Sequence, residues 1–302
     1  VQNLSETAAP SSLLGDLIAL LQVSPLGDDR FEGGCERGAQ ARLFGGQVIG
    51  QALMAAQTTV PEGRLVHSIH AYFLLAGDGR DPVEYEVGRD RDGGAFSFRS
   101  VDAMQDGQVI LRLAASYQRK EVSVSHQVAM PAAPDPETLV DHIIAALPFL
   151  DEMVPELASR WPSQRSAIEF RPTDPHRSFS AEPAEPVQSY WFRAVAPVPD
   201  HQPLQRALLA YASDKMLLAT TMLPHGIHWS RPGIRSASID HTLWIHGDVD
   251  MGQWMLYHQT SDWTGGGRGL IHGKIFTRDG RLVATAMQEA VLRISPESTP
   301  KR

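Results

Sequence analysis

A single cysteine in 302 residues, Cys35, rules out an internal disulfide and any cysteine-built metal cluster. No His-Asn partnership is evident to activate that thiol, so it reads as incidental. No apolar run approaches the roughly 18 residues of a membrane-spanning helix, and no basic stretch leads into a signal-like core near the N-terminus. The expectation is a cytoplasmic protein. Lys and Arg are scattered and the formal charge is -8, which excludes a nucleic-acid surface. Any anionic ligand must then be met by local positive groups. Motifs are missing too. There is no G-x-S-x-G, hence no nucleophile elbow. Gly45-Gly46 with Gly50 does not complete G-x-G-x-x-G, and the run from Gly265 to Gly269 lacks the Gly-Lys-Ser/Thr end of a phosphate loop, so no nucleotide cofactor is expected. The final residues 298–302 form neither a peroxisomal tripeptide nor a lipidation box.

What is present is a duplication. Ser68-Ile-His-Ala-Tyr-Phe-Leu74 returns as Ser238-Ile-Asp-His-Thr-Leu-Trp244, and the turn Asp106-Gly107 returns as Asp279-Gly280. Around each copy the order is a helix, strands, a Gly-rich bend (Gly93-Gly94, then Gly265-Gly266-Gly267), a strand, the Asp-Gly turn and a last strand. Opposite Gln288 the first copy has Ala115, and opposite Asp240 it has His70, while Ser68 keeps the hydroxyl. The copies are unequal, and the chemistry is expected in the second.

Hydrophobic content of 42% and charged content of 21% suit a globular chain with a sizeable core. Leu13, Leu14, Leu17, Ile18 and Leu21 share one face of an amphipathic helix over 12–22, with Ser12 as its N-cap. A second helix over 46–59 is rich in Gly and Ala, small enough for its backbone to approach a sheet closely. Strand signals follow at 66–76, 82–90, 95–105 and 108–119. Residues 121–187 are proline-dense, carry one short helix at 137–146, and read as a linker packed over one surface. The second copy is expected to hold a strand at 188–196, a helix from Pro203 to about Thr220, and strands at 234–246, 253–263, 268–278 and 281–294. Three parts result: 1–120, 121–187 and 188–302.

Phe44-Gly-Gly-Gln-Val-Ile-Gly-Gln-Ala-Leu53, Leu65-Val-His-Ser-Ile-His-Ala-Tyr-Phe-Leu74, Tyr211-Ala-Ser-Asp214, Ser238-Ile-Asp-His241, Pro224-His-Gly-Ile227 and Gln288-Glu289 resemble the bacterial acyl-CoA thioesterase II family in order and spacing. The resemblance spans about residues 12–294. It implies an α+β double hotdog, two tandem repeats each with a long helix wrapped by an antiparallel sheet, the sheets joined. It also implies hydrolysis of acyl-CoA to a fatty acid and coenzyme A without a cofactor, and a homodimer or homotetramer. The family's water-positioning Asp, Thr or Ser, and Gln carry over to Asp214, Ser238 and Gln288. Serine stands where the common bacterial form has threonine and supplies the same hydroxyl.

Residue-level physics agrees with that assignment. On a strand over 281–293, Leu282, Ala284, Ala286, Gln288, Ala290 and Leu292 share one face, and Gln288 alone is polar. A buried amide left unsatisfied costs about 1–3 kcal/mol, so it needs a partner. Asp214 shares a helical stripe with Tyr211, Leu217 and Leu218, where a carboxylate among apolar side chains reads as a candidate general base. The plainer alternatives are a Gln tied to backbone and an Asp facing solvent beside a basic neighbour. By alternation Ser238 and Asp240 share a strand face and His241 takes the other, so these three cannot form a triad. His67 and His70 lie on opposite faces of a strand with no third ligand in spacing, and no metal site is expected. An enoyl-thioester hydratase of this fold would need a His five residues after Asp214, where Ala219 stands. A non-catalytic acyl-CoA sensor would be expected to lose one of Asp214, Ser238 or Gln288, and all three are present.

Overall fold

The computed structural model describes residues 9–35, 42–159, 161 and 166–295. The C-terminal residues 298–302 lie outside them. The chain opens with α1 (Pro10–Leu21), which buries Leu14, Leu17 and Leu21. It starts two residues before the expected Ser12, with Pro10 in the first turn, where a missing N–H costs nothing. Ser12 Oγ donates to Ala9 O instead of capping. The hairpin β1 (Val23–Gly27) and β2 (Arg30–Gly33) follows, then α2 (Gly45–Thr58), β3 (Arg64–Phe73), β4 (Val83–Asp92), β5 (Phe96–Gln105) and β6 (Gln108–Arg119).

The second half repeats that order. The stretch between the copies carries a 3-10 turn at Pro136–Thr138, α3 (His142–Met153) and α4 (Pro155–Ala158). It then enters β7 (Ile168–Pro172), α5 (Pro175–Phe179) and β8 (Val187–Ala194), which lead to α6 (Gln202–Ser213). The strands β9 (Ile234–Ser238), β10 (Asp240–Ile245), β11 (Met255–Gly265), β12 (Arg268–Thr277) and β13 (Leu282–Ile294) complete it. The helix expected at 137–146 lies five residues later, started by the Asp141 side chain accepting from Ile143 N. The linker expected over 121–187 is shorter than that, because β7 pairs with β8 and belongs to the second half of the sheet.

All thirteen strands form one antiparallel sheet in the order β1-β2-β4-β5-β6-β3-β10-β13-β12-β11-β8-β7, with β9 continuing β10 along β13. The sequence of strands outward from the β3–β10 seam is the same in both directions. There Asp240 pairs with Tyr72, Thr242 with His70 and Trp244 with Ser68. This is the double hotdog. Among the described residues, no helix is long and apolar enough to cross a membrane.

The two long helices lie antiparallel against each other inside the curved sheet. A Cβ on Gly46 would come within 2.5 Å of Tyr211 O, and one on Gly50 within 3.4 Å of Ala207 O. The small residues of α2 therefore admit α6, not a strand as expected from the sequence. Both helices join one core with Ile69, Leu113, Tyr117, Leu243, Ile271 and Ala286 from the inner face of the sheet. The stretch between the copies covers part of the outer face. Trp191 Nε1 donates to Pro134 O at 2.8 Å, and Trp254 Nε1 donates to Glu137 Oε1 at 3.0 Å.

Registering the copies through their Asp-Gly turns sets Ala115 opposite Gln288 and Tyr117 opposite Ala290. Tyr117 pairs with Val66, whereas Ala290 pairs with Ser238. Val66, not Ser68, thus occupies the place of Ser238. The sequence likeness between Ser68 and Ser238 is two residues out of structural register, and the first copy has neither the hydroxyl nor the amide.

Candidate active site

Asp214 ends α6 as its C-cap residue. The helix stops there, short of the expected Thr220, because Met216 adopts a left-handed backbone (φ 66°) and a 3-10 turn resumes at Leu218. The early stop turns the Asp214 side chain, only 6% exposed, toward the strands instead of along a helix face. Gln288, on the inner face of β13 and 1% exposed, donates from Nε2 to Asp214 Oδ1 at 3.1 Å and to Ser238 Oγ. One amide therefore ties a carboxylate on a helix end to a hydroxyl on a neighbouring strand. The three residues expected to act together do meet, and Asp214 neither faces solvent nor pairs with a lysine or arginine among the described residues.

His241 was expected on the far side of the sheet, and it is not there. The strand read as continuous over 234–246 breaks at Ile239, and the pairing with β13 skips a residue between Ser238–Ala290 and Thr242–Met287. Such a bulge shifts the alternation by one. Asp240 turns outward and accepts from Glu289 N at 2.7 Å, closing the bulge, and burial raises its pKa. His241 turns inward with no exposure; its Nε2 shares a hydrogen bond of 2.9 Å with Ser213 Oγ, and its Nδ1 lies 4.0 Å from Asp214 Oδ1. Burial lowers its pKa against the opposing pull of Asp214, Asp240 and Gln288, so the imidazole is neutral near pH 7. Tyr257 donates to Ser213 O at 2.8 Å and fixes the helix end from beneath.

Asp214 and Ser238 line a cavity of about 770 Å³, within the range of small-molecule sites. Gln288 stands behind them. Phe44, Val48, Phe73, Leu111, Met216 and Met222 make the walls apolar, and Trp161, Phe179, Trp229 and His142 border it from the linker and the loop before β9. Gly45 opens α2 at the cavity wall, and a Cβ there would meet Asp214 Oδ2 at 2.8 Å and the Phe73 ring at 2.7 Å. The N-terminal amides of α2 therefore begin beside the carboxylate. His241 and Gly45 were not among the site residues expected from the sequence; the Phe44-Gly-Gly junction was a cue for Gly45, and nothing in the sequence marks the bulge that turns His241 inward.

The histidines read as structural behave so. His67 Nε2 bonds Ser116 Oγ at 2.8 Å and meets Phe96 edge to face, while His70 packs edge to face against Trp244 across the seam. Neither lines the cavity. No group of three metal-ligating side chains occurs among the described residues.

In this double hotdog a carboxylate, a hydroxyl and an amide converge at the wall of an apolar cavity. The acyl-CoA thioesterase family model matches residues 163–291, and a model of the acyl-CoA thioesterase N-terminal domain matches 36–118. The chain is 38% identical to acyl-coenzyme A thioesterase 8 of Homo sapiens over 297 residues, covering 95% of this chain and 92% of that protein. It is 35% identical to acyl-CoA thioesterase 2 of Haemophilus influenzae, covering 94% and 99%. The crystal structure of an acyl-CoA thioesterase II from Mycobacterium marinum superposes with a TM-score of 0.76 at 36% identity, covering 93% and 99%. This chain belongs to the acyl-CoA thioesterase family.

Proposed function

We propose that this protein hydrolyses fatty acyl-CoA to free fatty acid and coenzyme A at one site per chain, by direct attack of a water molecule. The observation that carries this reading is the bridge from Gln288 Nε2 to both Asp214 and Ser238 at the wall of the apolar cavity. Asp214 Oδ takes one proton of the water as its oxygen adds to the thioester carbonyl carbon. Ser238 Oγ accepts from Gln288 and keeps its own proton to donate to that water. Gln288 acts as a positioning residue, holding carboxylate and hydroxyl in one geometry. The amides of Gly45 and Gly46, at the positive end of α2, are placed to stabilise the oxyanion. When the C–S bond breaks, the electron pair leaves on sulfur, and the proton held by Asp214 neutralises the thiolate. His241 and Ser213 brace Asp214 from behind.

The first copy lacks this set, since Val66 and Ala115 stand at the equivalent positions. Its corresponding region is occupied by the buried Arg206, which donates to Val66 O and Gly247 O. A cytoplasmic location and a homodimer or homotetramer belong to the same proposal. Incubating the pure protein with palmitoyl-CoA and a thiol reagent tests the activity. Release of free coenzyme A supports the hydrolase, and tight binding without turnover would make the protein a sensor.

A further inference from the structure

Three arginines lie around the outer end of β9 without an acidic partner among the described residues. Arg235 and Arg293 sit directly opposite each other in the β9–β13 ladder. Like charges at facing positions repel, and nothing in the fold requires the pair. Elsewhere on this acidic chain exposed arginines are matched to carboxylates: Arg80 to Asp78, Arg89 to Asp29, Arg112 to Asp102, Arg268 to Glu289 and Arg278 to Asp135. Arg30, Arg91, Arg119 and Arg231 also lack such a partner among the described residues, and Arg281 bonds only the Asp248 carbonyl O, but none of these lines either cavity.

Arg42 and Arg235 differ in that respect. Both line a second, smaller cavity of about 400 Å³ that runs along the β9 edge with Ile234, Ser236, Ala237 and Val291. Arg42, Ser236 and Ala237 line the main cavity as well, so the two are adjacent. Arg235 is three residues from Ser238 along the strand, about 10 Å at the rise of an extended chain. An extended arginine side chain carries the charge further still from the scissile bond. Positive charge that is costly for folding and set at a fixed distance from the site indicates a ligand with negative charge at that distance.

We infer that Arg42 and Arg235, with Arg293 beside them, form the site for the phosphate-bearing nucleotide end of the thioester, in the smaller cavity where it borders the acyl cavity at Arg42. This rests on the acyl-CoA reading of the Asp214 site. Planar guanidinium groups pair bidentately with phosphate oxygens, and the surrounding negative charge of the chain makes local arginines necessary for any such anion. The pantetheine arm would then run from Ser238 past Ser236 and Ala237 and over the unpaired edge of β9 to the face on which alternation places Arg235.

The test compares one acyl group on coenzyme A and on pantetheine, which lacks the phosphates, using wild type and the double variant Arg42→Ala/Arg235→Ala. Both arginines are exposed and make no side-chain hydrogen bond or ion pair among the described residues, so the variant should fold. KM for the acyl-CoA is expected to rise about tenfold or more, the scale of a lost charge-assisted hydrogen bond, with kcat nearly unchanged. The loss should be confined to the coenzyme A ester, and raised salt should reproduce it in the wild type. An unchanged KM for acyl-CoA, or an equal loss on both esters, overturns the arginine site. Binding of free coenzyme A by calorimetry separates the two layers of inference. If neither ester is turned over by the wild type, the hydrolase reading fails, and weaker coenzyme A binding by the variant still upholds the arginine site. Equal binding refutes it.

Discussion

Gly45→Ala isolates the catalytic geometry from the fold. The added Cβ would lie 2.8 Å from Asp214 Oδ2 and 2.7 Å from Phe73, so to regain an ordinary 3.4 Å contact the carboxylate must move by about 0.6 Å and the ring by about 0.7 Å. Misplacing a reacting group by 1 Å can cost about 100-fold, so a displacement of this size should lower kcat roughly 10- to 100-fold. Stability should suffer less, because overpacking costs about 1–3 kcal/mol while replacing a helical glycine by alanine returns up to about 1 kcal/mol. Gly50→Ala supplies the control. Its Cβ would meet Leu21 at 2.8 Å and Ala207 O at 3.4 Å, far from Asp214, so it should lower the urea midpoint and leave kcat unchanged. Initial rates of thiol release at saturating acyl-CoA, with urea titrations on the same preparations, make the comparison. A Gly45→Ala enzyme with wild-type kcat, or a Gly50→Ala enzyme that loses as much, would refute the placement of Asp214 beside the start of α2.

Gln288→Ala removes the bridge and leaves Asp214 and Ser238 without their common donor; kcat is expected to fall about 100-fold or more, with about 1–3 kcal/mol of stability lost, measured by thiol release and denaturation. Trp229→Ala opens the aromatic border where Trp229 and Trp161 pack at 5.3 Å, and kcat/KM should shift toward palmitoyl-CoA over octanoyl-CoA in a chain-length profile. Burial holds His228 at a pKa of about 4, below its ordinary 6.5, so the unfolded chain takes up the proton first as pH falls. Stability from this group is present above pH 6.5 and is lost between 6.5 and about 4, and a His228→Asn protein should show a shallower fall in urea midpoint across that window.

Much of the fold was legible because period-2 alternation runs through the long strands and the Asp-Gly turns mark equivalent places in both copies. The short outer strands were not. Val23–Gly27 contains Pro25 and no alternation, and Ile168–Pro172 alternates but sits in a proline-dense stretch, so tertiary pairing with β8 decides its state. Asp214, Ser238 and Gln288 were reachable through family motifs and through the oddity of one amide on an apolar strand face. Their mutual geometry was hidden by two local events, the left-handed Met216 that ends α6 and the bulge at Ile239 that turns His241 inward. Both are backbone irregularities at the site itself, where consistency between local pattern and fold is most often broken.

The central claim is that Asp214 takes a proton from water in the rate-determining chemistry. Asp214→Asn keeps the size of the side chain and removes the base. The measurement is kcat and KM on palmitoyl-CoA for this variant beside the wild type. The account predicts kcat lower by about 100- to 10,000-fold, the usual worth of a positioned general base, with KM within a few-fold. A kcat near that of the wild type would contradict it.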